Sequence, residues 1–466
     1  MKKQLFIFGF LLILIPAVCA QNYKRLSVSS NTNTTIIRSY QYLENAVVCY
    51  SKDNHSGYIE YRTEFPTTLR VPIPAEYEIK DMRIYKNLLY LCGCKGLNAF
   101  IAVMDLRYFY EAPYTTMPPT IIYSYLNGSS EEGKIHINSI EKMVVYSDNP
   151  QNPMTEPTSF ANEDIVAIAL NNHNPSYPQK VAIHIKFNNL GVNITSLYGT
   201  ALPTITLDIM YCTPMFHYME LEDVMLTENY ISLVSYNHTS HNEAYYINKL
   251  DIGSSISSIF NSTYIYPAPD DEALSSIKGV GLSDNHIELA TLALKDAANS
   301  TFEIRMRNIA LSTMQMTNSQ SIYLDNYKHD IDMIFNNSTN KIVALMYYRP
   351  STISYDVHSF FEIDPWATTS YYASTMYDFE LTHYTSFDPT QSASFVASSY
   401  NKWFRKELPL NTSPCHFRYP VQINQINSIT FEKVDFHSYT VSFSNSLEFL
   451  WTDIEFVNTE IDCESE

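Results

Sequence analysis

Short runs of alternating apolar and polar residues recur along this chain, and they return in a fixed order. Ile79-Lys-Asp-Met-Arg-Ile-Tyr-Lys-Asn-Leu-Leu-Tyr-Leu, ending at Leu91, reads as a strand, a polar turn at Asn87 and a more apolar strand. Leu221-Glu-Asp-Val-Met-Leu-Thr-Glu-Asn-Tyr-Ile-Ser-Leu, ending at Leu233, aligns with it without a gap, Asp81 on Asp223 and Asn87 on Asn229. A third copy runs from Ile277 to Leu289 with Asn285 at the turn, and a fourth from Asp330 to Leu345 with a longer turn, Asn336 to Asn340. A fifth runs from Ile37 to Val48 with Asn45 at its turn. Weaker copies start at Ile140, its partner strand delayed to Ile165, and at Phe379, its partner at Ala393. Most units continue into a third strand, such as Ala99 to Asp105, Val181 to Phe187 and Ala244 to Leu250. Asn and Asp accept the left-handed backbone that tight hairpins need, so they stand in for glycine, of which the chain has 11.

The equivalent positions are Ser39, Asp81, Lys142, Asp223, Gly279, Asp332 and Glu380. Units of roughly 40–50 residues with three or four antiparallel strands are the mark of propeller blades. One small sheet cannot bury both faces, whereas a closed ring of sheets does so and leaves few edges exposed. The larger step from Lys142 to Asp223 implies insertions, one of them holding an outer strand at Thr204 to Tyr211. The chain is therefore expected to be all-β, a seven-bladed β-propeller over residues 21–410, in preference to an array of β-sandwiches. A C-terminal segment over 411–466 closes the ring by pairing into the first or last blade. This architecture resembles secreted β-propeller proteins in general. It carries no repeated Trp-Asp, no kelch Gly-Gly doublet and no Asp-box, so the resemblance implies a fold and no activity.

The ends and the charge narrow the setting. Lys2 and Lys3, an apolar run from Leu5 to Ile15, Pro16 and Ala17-Val-Cys-Ala20 form a secretory signal over residues 1–20, with Gln21 as the mature N-terminus. No later segment is apolar enough to cross a bilayer as a helix. With 30 basic against 49 acidic residues, net −19, the surface disfavours nucleic acid and anionic lipid. Six cysteines follow the signal, Cys49, Cys92, Cys94, Cys212, Cys415 and Cys463, and an even number in an oxidising compartment points to disulfides and no free thiol. The Asn-X-Ser/Thr sequons are expected to be polar turn residues of a bacterial envelope protein rather than glycan sites.

Candidate chemistry is sparse. His238 and His241 have a spacing that can bind metal, but no zincin Glu follows, and a solvated loop is the better reading. Tyr245-Tyr246 and similar doublets suit packing between blades. The acidic recurrence Asp81, Asp223, Asp332 and Glu380 is the sharper candidate: at one mouth of the channel, with Arg83, Lys142 and His383, it would form a ligand site. Gathered carboxylates need a cation or basic side chains, so Ca²⁺ is a possible occupant. The competing reading has these side chains pointing between blades onto backbone donors, for repeat geometry alone. The expected function is an exported, non-enzymatic binding or scaffold propeller, periplasmic, cell-surface or extracellular, that engages a glycan, peptide or protein. The alternative is a polysaccharide-active hydrolase or lyase using channel-mouth carboxylates with His383 and Tyr384.

Overall fold

A computed structural model describes the chain between Tyr23 and Glu460 as strands with their shorter connections; residues 1–22, 461–466 and the longer connections lie outside the described residues. β1 (Tyr23–Val28) comes first. Six four-strand meanders follow in chain order. They are β2 (Thr35–Tyr42), β3 (Ala46–Lys52), β4 (Gly57–Thr63) and β5 (Thr67–Ile73); β6 (Tyr77–Tyr85), β7 (Leu88–Lys95), β8 (Asn98–Asp105) and β9 (Thr120–Asn127); then β10 (Ile137–Ser147), β11 (Glu163–Asn171), β12 (Gln179–Asn189) and β13 (Ile205–Cys212). The next are β14 (Met219–Leu226), β15 (Tyr230–Asn237), β16 (Ala244–Asp251) and β17 (Thr263–Pro267); β18 (Glu272–Gly281), β19 (His286–Asp296), β20 (Thr301–Ala310) and β21 (Gln315–Leu324); and β22 (Asp330–Asn336), β23 (Lys341–Tyr348), β24 (Val357–Ile363) and β25 (Tyr372–Met376). β26 (His383–Ser386), β27 (Ser394–Ser399) and β28 (Lys402–Glu407) take β1 as an antiparallel fourth neighbour. The tail supplies β29 (Gln422–Ile423), β30 (Glu432–Val434), β31 (Tyr439–Thr440), β32 (Ser444–Trp451) and β33 (Glu455–Glu460). The protein is all-β, built of small antiparallel sheets and compatible with a propeller-like fold. The outer strand foreseen at Thr204 to Tyr211 is β13, paired to β12.

Cores lie between consecutive sheets, and this explains the long apolar runs. Along β7, Leu88, Tyr90 and Cys92 enter a core shared with β10–β12, while Leu89 and Leu91 enter one shared with β2–β5. β8 divides the same way, Ala99, Ile101 and Val103 to one side and Phe100, Ala102 and Met104 to the other. A strand covered on both faces needs no polar alternation. The Tyr245-Tyr246 doublet obeys the same rule: Tyr246 packs toward β10–β12 and Tyr245 toward β18–β21. Each fully buried Ile or Leu contributes on the order of 1.5–3 kcal/mol.

The turn asparagines repeat a bond. Leu106 N–H donates to Asn87 O, Ile252 N–H to Asn229 O and Leu311 N–H to Asn285 O, tying the end of each third strand back to its first hairpin. Asn285 (φ 60°) and Asn340 (φ 57°) adopt the left-handed backbone foreseen for them. A glycine is required at Gly93 for another reason: a Cβ there would stand 1.8 Å from the carbonyl oxygen of Glu78 on the paired strand. That carbonyl lies beside the irregularity between Ile79 and Asp81.

The tail pairs into the first sheet, β33 on β5, but it also does more than that. It runs back over the outer strands, β29 on β21, β30 on β17, β31 on β13, β32 on β9 and β33 on β5, all antiparallel, and β33 also meets β1. Each outer strand presents an unpaired row of backbone groups, and an extended tail can cover them one after another. β26 lies parallel to β2 (Ser39↔Thr385, Tyr40↔Ser386), which joins β2–β5, β26–β28, β1 and β33 into one closed arrangement.

Candidate functional site

The repeat position lies just past an irregularity in the first strand of five of the six meanders, while β22 pairs with β23 without one. Pairing skips a residue between Ile36 and Arg38, Ile79 and Asp81, Ile140 and Lys142, and Leu221 and Asp223, and a longer shift separates Ala273 from Lys278. Such bulges bend a strand and re-aim the next side chain. The residues just past them are Arg38, Asp81, Lys142, Asp223 and Lys278, opposite Tyr50, Cys92, Ile168, Val234 and Ala290. This corrects the alignment at Ser39 and Gly279 by one residue. In the second case the three-residue turn Ser283–Asn285, with Asp284 and Asn285 both at positive φ, displaces the first strand against its partner. The corrected position alternates in sign, basic and acidic, and Asp332 continues the alternation by sequence.

Asp81, Lys142 and Asp223 reach the next sheet from this position. Asp81 Oδ2 accepts from Met143 N–H at 3.1 Å, and its Oδ1 accepts from Arg83 Nη1 at 3.1 Å. Arg83 Nε in turn donates to Met143 O at 3.0 Å, and Arg83 also bonds Tyr40 OH in the preceding sheet. Lys142 Nζ donates to Glu222 O at 2.7 Å and to Asp223 Oδ1 at 3.2 Å. Asp223 Oδ2 accepts from Gly279 N–H at 3.0 Å. Acid and base together form a clamp on the neighbour's bulge. Asp81 is 2 % exposed, so its carboxylate lies between sheets and not on a surface. The side chains of Asp332 and His383, and all of Glu380, lie outside the described residues, as do His238 and His241. Among the described residues no three His, Cys, Asp or Glu side chains gather as a metal-binding group.

The cysteines also differ from expectation. Cys49, Cys92 and Cys94 are free thiols, whereas the side chain of Cys212, and Cys415 and Cys463 altogether, lie outside the described residues. Burial, and then the Asp81 carboxylate, push the Cys92 thiol well above its ordinary value, and burial raises Cys94. Both stay protonated at neutral pH, which is the opposite of an activated nucleophile.

Three buried polar groups carry no sequence signal. Glu60 Oε2 accepts from Arg62 Nε at 2.7 Å, and Glu60 Oε1 lies 2.6 Å from Arg70 Nη2. The side chains of Glu60 and Arg62 are both 0 % exposed. Burial alone would raise the Glu60 carboxyl, but Arg62 and Arg70 outweigh it and hold it below its usual range. Second, Tyr146 OH and Asp164 Oδ2 stand 2.9 Å and 3.3 Å from His184 Nε2, all three residues buried. Third, Glu288 is 1 % exposed on β19, with Oε2 lacking a hydrogen-bond partner. Its burial raises its pKa well above the carboxylate range, with Asn308 and Arg307 opposing only in part.

Glu288 makes one pH dependence predictable. A folded-state pKa above the unfolded value adds stability that is fully present below the unfolded pKa and is lost as pH rises through the folded one. The parent should therefore lose melting temperature toward alkaline pH more steeply than Glu288→Gln, which carries no titrating group there. Thermal unfolding of both from pH 5 to 9 tests this; parallel curves would mean that Glu288 is ionised in the fold.

These clusters can hold sheets together and keep protons in place. No protein-family model, no curated protein and no solved structure matches this chain.

Proposed function

We propose that this chain is an exported, non-enzymatic binding or scaffold protein, a seven-bladed β-propeller that holds a glycan, peptide or protein partner on one loop face. The observation that carries the reading is the clamp series. Two of the acidic residues that recur from sheet to sheet, the two whose side chains are described, spend their carboxylates on the neighbour's backbone, Asp81 on Met143 N–H and Asp223 on Gly279 N–H. A repeat residue used that way serves the scaffold. The blade count rests on the six meanders plus β26–β28 with β1, and on the parallel contact of β26 with β2 as the closure. Export rests on the signal-like residues 1–20. The Ca²⁺ considered among Asp81, Asp223, Asp332 and Glu380 is not required by this reading.

The test is a panel of bacterial polysaccharides and peptides, scored in parallel for binding by calorimetry and for release of new reducing ends. Binding without turnover is expected. Turnover that Asp81→Asn leaves intact would replace this reading with an enzyme whose site lies elsewhere on the molecule. Class averages from electron microscopy with six or eight spokes would overturn the blade count.

A further inference from the structure

Strands β3, β4 and β5 have two unlike faces. Val48, Tyr50, Ile59, Tyr61 and Val71 fill the apolar core shared with β6–β9. The residues that alternate with them, Cys49, Ser51, Glu60, Arg62, Thr68 and Arg70, are polar or carry a thiol, and all are buried. Because β6–β9 cover the apolar face, this one turns into the closed arrangement of β2–β5 with β33, β1 and β26–β28. Register sets Cys49, Glu60 and Arg70 in one row across three strands. The Glu60 carboxylate serves two guanidinium groups, those of Arg62 and Arg70. Among the described side chains of this face, one positive charge is therefore in excess. Arg62 Nη1 and Arg70 Nε, both buried, have no hydrogen-bond partner. Cys49 does not supply the missing charge, because burial keeps its thiol protonated. Arginine cannot shed its proton, and an uncompensated buried charge is strongly destabilising.

We propose that the polar face of β3–β5 binds one small monovalent anion of the chloride class, held by Arg62 Nη1 and Arg70 Nε. The occupant is small because the groups that hold it are buried, and monovalent because the excess is a single charge. It accepts the two guanidinium N–H groups that Glu60 leaves over, and it completes the neutralisation of the cluster. Glu455 stands opposite Arg70 in the register of β33 and is the other source of negative charge that pairing brings to this row. The experiment separates the two. This site is distinct from the loop face invoked above, and its failure would leave that reading standing.

Thermal unfolding of the full chain tests it, in sodium chloride against sodium gluconate at equal ionic strength. Screening of the net negative charge acts alike in both salts and cancels, and gluconate is too large for a sealed site. The parent should melt higher in chloride, by about 2 °C for each tenfold rise in concentration beyond half-saturation. Glu60→Gln raises the excess to two charges and should steepen the chloride dependence. Arg62→Met leaves one carboxylate to one guanidinium and should abolish it. Bromide soaked into crystals of the parent gives a reading that needs neither variant to fold. An anomalous peak within hydrogen-bond reach of Arg62 Nη1 and Arg70 Nε is expected. Equal melting in the two salts would overturn the proposal, as would a chloride response that survives Arg62→Met. A site without a bromide peak, whether empty or filled by the Glu455 carboxylate, overturns it too.

Discussion

Replacing Glu60 by glutamine is expected to lower the free energy of unfolding by about 3–5 kcal/mol, the usual cost of removing one partner from a buried ion pair. Glutamine keeps the volume and can still accept a hydrogen bond. It leaves the guanidinium groups of Arg62 and Arg70 without their carboxylate, one fully buried and the other nearly so. Arginine cannot shed its proton to escape. Urea denaturation would read the loss as a lower midpoint at unchanged slope. The combination Glu60→Gln/Arg62→Met should recover part of it, because it removes one of the two stranded charges. A loss below about 1 kcal/mol would mean that water or another acid compensates this cluster. Acid has the same sign of effect. The Glu60 pKa is lowered in the fold, so its contribution is present above the unfolded value and lost as pH falls through the folded one.

The second large effect is expected at the clamp. Asp81→Ala removes the acceptor of Met143 N–H and the partner of Arg83 at once. An orphaned buried donor costs about 1–3 kcal/mol and a charged partner adds to it, so a loss of about 2–4 kcal/mol is expected. Asp81→Asn keeps an acceptor and should lose less. A double-mutant cycle with Arg83→Met should show coupling, because both side chains hold Met143. Additive losses would mean that each side chain grips the neighbouring sheet independently.

Much of this fold was legible because the repeat is local. The hairpins at Asn87, Asn229 and Asn285 declare themselves by turn chemistry, and the shared carbonyl bond at all three is the structural reason for their alignment. The sign alternation at the clamp was hidden by a slip of one residue. Bulges and a longer turn shift register without leaving any composition signal, so Ser39 and Gly279 stood where Arg38 and Lys278 belong. Glu60 and Arg62, two apart on one strand, carry no motif spacing that announces their burial. Tyr146, Asp164 and His184 come from three strands and share no motif spacing. The tail was anticipated only as a closing element, since strands as short as β29 and β31 are too brief to carry a period. Counting cysteines to an even total said nothing of where they sit, and Cys92 and Cys94 lie two apart on one strand.

The girdle formed by β29 to β33 has a consequence for biogenesis. These strands follow every sheet in the chain and pair with strands made long before them. A nascent molecule would therefore pass through a stage in which five finished sheets stand without these tail strands. Two neighbouring molecules at that stage offer each other the same antiparallel partner that the tail will later supply. Such a protein depends on dilution or on a holding chaperone until its last strands arrive, and a stop codon ahead of Gln422 should yield inclusion bodies rather than a smaller soluble domain.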